Sequence, residues 1–322
     1  MNYKYLGKTG VQVSELCFGT MSFGGDADAE TSEQMYRRCR EAGINFFDCA
    51  NGYAGGRSEE LLGKFIANER EEVIITSKVY FPTSEDPNAR GASRRNIQLA
   101  VEKSLKRLNT DWIDVYFIHH FDEHTSIEET LRALDDLVRQ GKILYPASSN
   151  FSAWQIMQAL GISHYGQLSP FAVLQPMYNL VKRQAEVEIL PLAQAQGLAV
   201  IPYSPLAGGL LTGKYAGETV PQEGRLLNNK MYKSRYGEEW MFSAAADFAN
   251  FATSQGYSPA ALAVAWVAQH PAVTAPIIGA RNLAQLEDSL KSVEIEMTAE
   301  LYEQVSGFSR RPAVATDRTE KG

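Results

Sequence analysis

The chain has 322 residues, 44% of them apolar and 21% charged, with a net charge of −7 and no basic face or tail, which argues against nucleic acid as a partner. No apolar run approaches membrane-spanning length, and the N-terminal `MNYKYLGKTG` lacks the apolar centre of a signal peptide, so a soluble protein with no membrane partner is expected. Three cysteines, Cys17, Cys39 and Cys49, are too few and too odd in number for a disulfide framework and fit a reducing, cytoplasmic compartment.

Along the chain, residues 3–6 and 11–14 flank `GKTG` and read as a short β-hairpin able to plug the bottom of a larger fold. Short apolar runs of strand type then alternate with helical patterns. The predicted strands are 16–19, 45–48, 73–78, 113–119, 143–148, 172–175, 199–203 and 273–278. Amphipathic segments at 31–42, 93–108, 127–140 and 186–195 lie between them. In `RRNIQLAVEKSLKRL`, Ile97, Val101, Leu105 and Leu108 recur at helical spacing. Gly43, Gly141 and Gly197 each stand between a helix and a strand, where a left-handed residue stops the helix. Eight such alternations predict a closed (β/α)8 TIM barrel; the alternative, a doubly wound open sheet, lacks a GxGxxG after the first strand. A long loop containing Gly, Lys and Arg spans 206–240 after the seventh barrel strand, and Ala299–Ser306 reads as a last helix. Residues 307–322 read as a flexible polar tail, and with no linker in sight residues 1–322 are expected to form a single domain.

Chemistry concentrates at the strand ends. In `INFFDCANGYAGGRSEELLGK`, residues 44–64, an apolar run stops on Asp48 and a small loop presents Tyr53. The next two strands end on Lys78 and His119. In a barrel the C-terminal strand ends converge on one face, so the four residues meet. A phenol has a reference pKa near 10, an adjacent ammonium favours its ionised form, and an imidazole orients or shares the proton. Asp48 is placed to neutralise a buried Lys78. Such a set is a proton donor for a carbonyl oxygen, and it calls for a hydride source and hence a cofactor pocket. The run `HHFDEH`, residues 119–124, has the composition of a zinc site, but that reading leaves Tyr53 and Lys78 without a purpose, and no metal is expected.

The motifs `GTMSFGG`, `FFDCANGY`, `SEELLGK`, `ITSKVY`, `DVYFIHH`, `ASSNFS`, `YSPLAGGLLTGKY` and `IIGARNLAQLEDSL`, in this order over about residues 3 to 306, resemble the aldo-keto reductases. The resemblance implies an NAD(P)H-dependent oxidoreductase on a (β/α)8 barrel, acting on a small-molecule carbonyl substrate. It places the family's catalytic tetrad on Asp48, Tyr53, Lys78 and His119, with Tyr53 as acid, Lys78 and Asp48 lowering its pKa, and His119 orienting the carbonyl. Ser149, Asn150 and Gln175 resemble the residues that hold the nicotinamide carboxamide, and Tyr203 the ring that stacks beneath it. Ser204, Pro205, Leu206, Gly208, Lys214 and Arg225 resemble the pyrophosphate clamp; Gly279, Arg281, Gln285 and Asp288 resemble the adenosine end; Gly19, Thr20 and Met21 line the entrance. Arg281, between `IIGA` and a predicted helix, favours NADPH over NADH through charge-assisted bonds to a 2′-phosphate. Two positions depart from the family pattern: the usual `GxSNF` reads `ASSNF`, and an adenine-facing Asn is replaced by Ser289. The long-loop form resembles the branch that includes potassium-channel β subunits, so a nucleotide-sensing subunit with slow turnover stands as the alternative function. A monomer or a homo-oligomer is compatible with the sequence.

Overall fold

Alternation along the strands decides what fills the centre of the fold. The computed structural model describes residues 1–215, Leu226 and residues 229–316. Eight parallel strands form one sheet: β3 (Cys17–Gly19), β4 (Phe46–Asp48), β5 (Ile74–Val79), β6 (Ile113–Ile118), β7 (Ile143–Ser149), β8 (Val173–Gln175), β9 (Ala199–Val200) and β10 (Ile277–Ile278). Sheet order follows chain order, except that β10 pairs with β3. The Ile277 N–H donates to the Pro202 carbonyl at 2.9 Å and Thr274 N–H to Val200 at 2.8 Å, which closes the ring between its first and last members. Cys17, Phe46, Val115, Phe117, Ala147, Val173, Ala199 and Ile277 pack together inside it, while Phe18, Phe47, Tyr116 and Leu174, one residue on, pack against the helices. This is the expected (β/α)8 barrel.

The surrounding helices are α1 (Ala29–Glu41), α2 (Arg57–Phe65), α3 (Arg94–Leu108), α4 (Ile127–Arg139), α5 (Ala153–Gly166), α6 (Ile189–Gln196), α7 (Lys230–Tyr236), α8 (Glu239–Ser254), α9 (Pro259–Gln269), α10 (Leu283–Leu290) and α11 (Ala299–Ser306). Their starts follow from side-chain caps: Asp28, Ser93, Ser258 and Thr298 each accept from a backbone N–H of the first turn. α1, α4 and α6 stop at Gly43, Gly141 and Gly197, all at positive φ as the sequence required.

Several elements differ in detail from expectation. The helix predicted over 186–195 is instead a 3₁₀ turn, Gln184–Glu186, followed by α6. Glu186 is held by Arg183 at 2.8 Å and by the Tyr178 hydroxyl at 2.7 Å, which anchors that turn. The runs predicted as 199–203 and 273–278 shorten to two-residue strands because Pro202 and Pro276 lack the N–H a ladder needs. The segment 206–240 contains a 3₁₀ turn, Ala207–Thr212, and α7, whose N-cap Asn229 accepts from Met231 and Tyr232 N–H groups. Residues 307–316 carry no helix or strand, and the rest of the predicted tail lies outside the described residues.

The hairpin, β1 (Tyr3–Tyr5) paired antiparallel with β2 (Gln12–Ser14), closes the end of the barrel where the strands begin. Leu6 and Val13 are fully buried and join the interior cluster. Gly7, at φ +58°, lets the turn approach the sheet: a Cβ there would lie 2.8 Å from the Ala199 nitrogen. A plugged floor keeps water out of the barrel, which matters for the charges placed above it. Leu6→Ala is expected to cost about 2–5 kcal/mol by opening a cavity under the barrel. Urea unfolding checks this, and a change within about 0.5 kcal/mol would mean that the hairpin only decorates the floor.

Candidate active site

The same alternation that buries Phe46 turns Asp48 inward, two residues on. On β5 it turns Thr76 and Lys78 inward, and on β8 Gln175 follows Val173. Register pairs Asp48 with Thr76, and Lys78 with Phe117, so these side chains meet across adjacent strands at the C-terminal mouth. Lys78 is fully buried and Asp48 is 2% exposed. The Lys78 ammonium donates to Asp48 Oδ2 at 2.7 Å, to the Cys49 carbonyl at 2.7 Å and to the Tyr53 hydroxyl at 3.1 Å. All three of its donors are therefore engaged. The other Asp48 oxygen accepts from Thr76 Oγ1 at 2.7 Å and Gln175 Nε2 at 2.8 Å. Reading strand ends alone missed Thr76; its even spacing from Lys78 is the signal that finds it.

Tyr53 is delivered by backbone geometry. Ala54, Gly55 and Gly56 take three successive left-handed conformations, φ 49°, 65° and 98°, turning the chain sharply into α2. The Ser58 hydroxyl then donates to the Thr20 carbonyl at 2.7 Å, tying α2 to the end of β3. Glu59, buried, takes the Ser77 hydroxyl and Arg107 on the outer face of β5. His119 follows β6; its ring lies edge-on to Tyr53, centroids 6.1 Å apart, and to Phe81 at 4.8 Å.

Burial pushes the Tyr53 phenol up to about 12. Lys78 pulls in the opposite direction, and Asp48 adds to the rise. This corrects the expectation that Lys78 and Asp48 together lower the phenol pKa: only the ammonium acts that way, and desolvation outweighs it. Burial alone would lower the Lys78 pKa, but Asp48 and Tyr53 hold it above the ordinary lysine value. Burial, then the charge of Lys78, holds the His119 imidazole well below its ordinary value. At neutral pH the set is therefore a phenol, an ammonium and a neutral imidazole.

Of the positions matched to cofactor binding, Ser149, Asn150, Gln175 and Tyr203 come together. The Tyr203 hydroxyl donates to Asn150 Oδ1 at 2.7 Å, Asn150 Nδ2 donates to the His119 carbonyl at 2.9 Å and to Ser149 Oγ at 3.0 Å, and Ser149 Oγ donates to the Gln175 carbonyl at 2.9 Å. Six non-glycine residues among those described have positive φ; Asn109 and Gln167 cap helices, whereas Ala54, Asn150, Ser204 and Ala207 lie on the segments that follow the C-terminal ends of β4, β7 and β9. Strain of that kind gathers at functional sites. Gly19 ends β3, Thr20 is buried with its N–H on the Asp48 carbonyl at 2.9 Å, and Met21 is 40% exposed. Pro205 and Leu206 lead into the turn that carries Gly208, and the Lys214 ammonium stands 3.0 Å from where a Gly209 Cβ would be. Gln285 accepts from the Arg281 N–H at 3.1 Å, Gly279 leads into that turn, and Asp288 pairs with Lys291 at 3.2 Å. Ser289 is buried and turns its hydroxyl back to the Gln285 carbonyl. Arg225 lies outside the described residues.

The `HHFDEH` segment finds other uses. Asp122 accepts from the Ala92 and His124 N–H groups and from Thr125 Oγ1, so its carboxylate fastens the loop. Among the described residues no group of three His, Cys, Asp or Glu side chains is placed to hold a metal ion.

Comparison with known proteins adds to this geometry. The model of the Aldo/keto reductase family matches residues 15–310. The chain is 38% identical to "Uncharacterized oxidoreductase YrpG" of Bacillus subtilis, with 98% of both chains covered. It is 36% identical to "Probable voltage-gated potassium channel subunit beta" of Oryza sativa subsp. japonica, over 92% of each. It is 32% identical to "Norsolorinic acid reductase" of Aspergillus flavus, over 90% of this chain and 76% of that one.

The lowered His119 pKa has a sign that can be checked. His270 is shifted the same way by its own burial. For both, the unfolded chain takes up the proton first, so their contribution to stability is present above the unfolded value near 6.5 and is lost as pH falls through it. Proton NMR of the His119 ring is expected to show it neutral at pH 6. A midpoint at or above about 6.5 would mean that the ring is not desolvated in this way.

Proposed function

The chain belongs to the aldo/keto reductase family, and on that premise we propose that it is an NADPH-dependent reductase of a small aldehyde or ketone, reversible in direction, with Tyr53 as proton donor. One observation carries the reading: a fully buried ammonium that spends its three donors on a carboxylate, a main-chain carbonyl and a phenol oxygen. Because Lys78 donates to the Tyr53 oxygen, the phenol's own hydrogen is left to point elsewhere, toward a carbonyl at the mouth. His119, kept neutral, offers a second donor to the same oxygen. As the proton leaves Tyr53, negative charge develops 3.1 Å from an ammonium already in place. That interaction strengthens in the transition state, and in a dry site it needs no reorganisation.

The residues present suit a nicotinamide cofactor. The remaining N–H and the carbonyl oxygen of the Gln175 amide make no bond among the described residues, and a donor beside an acceptor matches a carboxamide. Tyr203 offers a ring pinned by Asn150, and Arg281 offers a guanidinium with no side-chain partner among the described residues. A bound reduced nicotinamide would supply the hydride for the carbonyl carbon. We place both functions in one domain over residues 1–322. The three cysteines are unpaired and buried, which supports a reducing, cytoplasmic setting. The relatives named as potassium-channel subunits support a second reading, a nucleotide-sensing subunit; the complete Lys78–Asp48–Tyr53 network favours turnover.

Tyr53→Phe removes one oxygen and keeps the ring that packs the loop. Carbonyl-dependent NADPH consumption is expected to fall by roughly 10²–10⁴-fold, with NADPH affinity nearly unchanged. Near-normal turnover in this variant would remove Tyr53 from the chemistry, and loss of NADPH binding would make its role structural.

Arg281→Ala is expected to weaken NADPH binding while leaving NADH nearly untouched, because only NADPH carries the 2′-phosphate. Fluorescence titration with both cofactors tests this, and an equal loss for the two would assign Arg281 to the fold.

A further inference from the structure

Arg235 sits in the last turn of α7 with its guanidinium carbon 5.9 Å from the centre of the Tyr203 ring and 5.8 Å from that of Tyr232. It is half-buried, and among the described residues it makes no hydrogen bond and has no carboxylate in ion-pair range. Four other arginines drawn partly or wholly out of water have carboxylate partners, Arg38 with Glu287, Arg70 with Asp114, Arg107 with Glu59 and Arg183 with Glu186; Arg281, like Arg235, has none among the described residues. A guanidinium carries five N–H donors, and drawing it away from water without an acceptor is unfavourable. Aromatic rings compensate its charge but leave its in-plane donors unspent.

The platform under it is held in place. Tyr203 is fixed by Asn150, and Tyr232 packs against Gly208 so closely that a Cβ there would lie 2.5 Å from the ring. Tyr236, fully buried on the same helix, accepts from Asn179 at 3.2 Å. Around the barrel, β10 and β3 separate β9, which leads into Tyr203, from β4, which leads into Tyr53. From Tyr203 the hydrogen bonds run through Asn150 to the His119 carbonyl. Arg235 therefore lies against the ring that follows β9, separated by two strands from the one that leads to the proton donor, and among the described residues its donors are unspent.

We infer that Arg235 recognises an oxyanion on the bound ligand, and that this oxyanion is a carboxylate of the substrate. The inference rests on the carbonyl-reductase reading above. It makes the preferred substrates aldehydes or ketones that carry a carboxylate away from the reacting carbon. A phosphate of the cofactor offers the same chemistry, but the Asn150 and His119 links tie the Arg235 platform to the carbonyl end.

The test compares 4-carboxybenzaldehyde with its neutral methyl ester on wild type, Arg235→Met and Arg235→Lys, with NADPH affinity measured in parallel. Arg235→Met is expected to lower kcat/KM for the carboxylate roughly 10–100-fold, mostly through KM, and to change the ester less than about threefold. Arg235→Lys, which keeps the charge without the fork, falls between them. Equal losses on acid and ester, or loss of NADPH affinity with no change in acid-to-ester selectivity, would overturn the inference while leaving the reductase reading intact. Benzoate binding to the NADP⁺-saturated protein, by calorimetry, needs no turnover: binding weakened about tenfold or more in Arg235→Met supports the inference, and equal binding overturns it. If wild type reduces neither aldehyde nor any other carbonyl but binds benzoate through Arg235, the reductase reading fails and the oxyanion site stands.

Discussion

A fully buried lysine ammonium is the constraint around which the mouth of this barrel is built. Removing such a charge from water costs several kcal/mol, and attraction to one carboxylate repays that only when every donor and lone pair is satisfied. Here Lys78 spends its three donors and Asp48 accepts three bonds, two of them from Thr76 and Gln175. Three strands, β4, β5 and β8, and the loop that carries Tyr53 must therefore stay in place for one ion pair to persist. The demand also runs downward. A pair at the top of an interior lined with Phe46, Val115 and Phe117 depends on a floor that excludes water, which Leu6 and Val13 of the hairpin complete. The plug and the charge are two ends of one arrangement.

The same dry interior sets the protonation states. A simple view holds that an ammonium beside a phenol makes the phenol more acidic. Burial wins at Tyr53, so the resting site keeps its proton on the phenol. Burial and Lys78 act together on His119, so the imidazole stays neutral and can donate without adding a second charge. A site meant to hold an anion at rest would be arranged the other way. This one stores a proton next to a cation that gains only when the proton departs.

Much of this was legible in the sequence because strands obey a period of two. Once Phe46 is inside, Asp48 must be too, and parity on β5 places Thr76 and Lys78 with it. Asp48, Lys78 and His119 converge for that reason, whereas Tyr53 arrives on the loop after β4; the helix ends at Gly43, Gly141 and Gly197 were legible through their conformational requirement. What escaped has equally physical causes. Pro202 and Pro276 sit inside apolar runs, so hydrophobicity overstated the last two strands. The net direction of the Tyr53 shift depends on the depth of a side chain, which no linear pattern encodes. The Glu59–Arg107 pair joins residues 48 apart on different helices, and spacing carries no trace of it. Arg235 looks like an ordinary helix-terminal arginine until Tyr203 and Tyr232 are found beneath it.

Charge bookkeeping across the mouth ties these points together. The chain is acidic overall, at −7, and an acidic protein attracts anions only where cations are concentrated or left unneutralised. Lys78 is not such a place, because Asp48 consumes its charge. Arg235 and Arg281 are, since among the described residues neither guanidinium has a carboxylate partner. One stands at the Tyr203 side and the other at the turn before α10, so the internal cation and the rim cations do different work. The first is closed off inside the barrel; on the proposed reading it tunes a proton, and the others stay open to meet charge that arrives from solution. A ligand that spans the mouth and carries negative charge at its ends satisfies every unspent guanidinium there, whereas a neutral ligand of the same size leaves them half-desolvated. Selectivity at this site therefore follows from which of its cations the fold has already used.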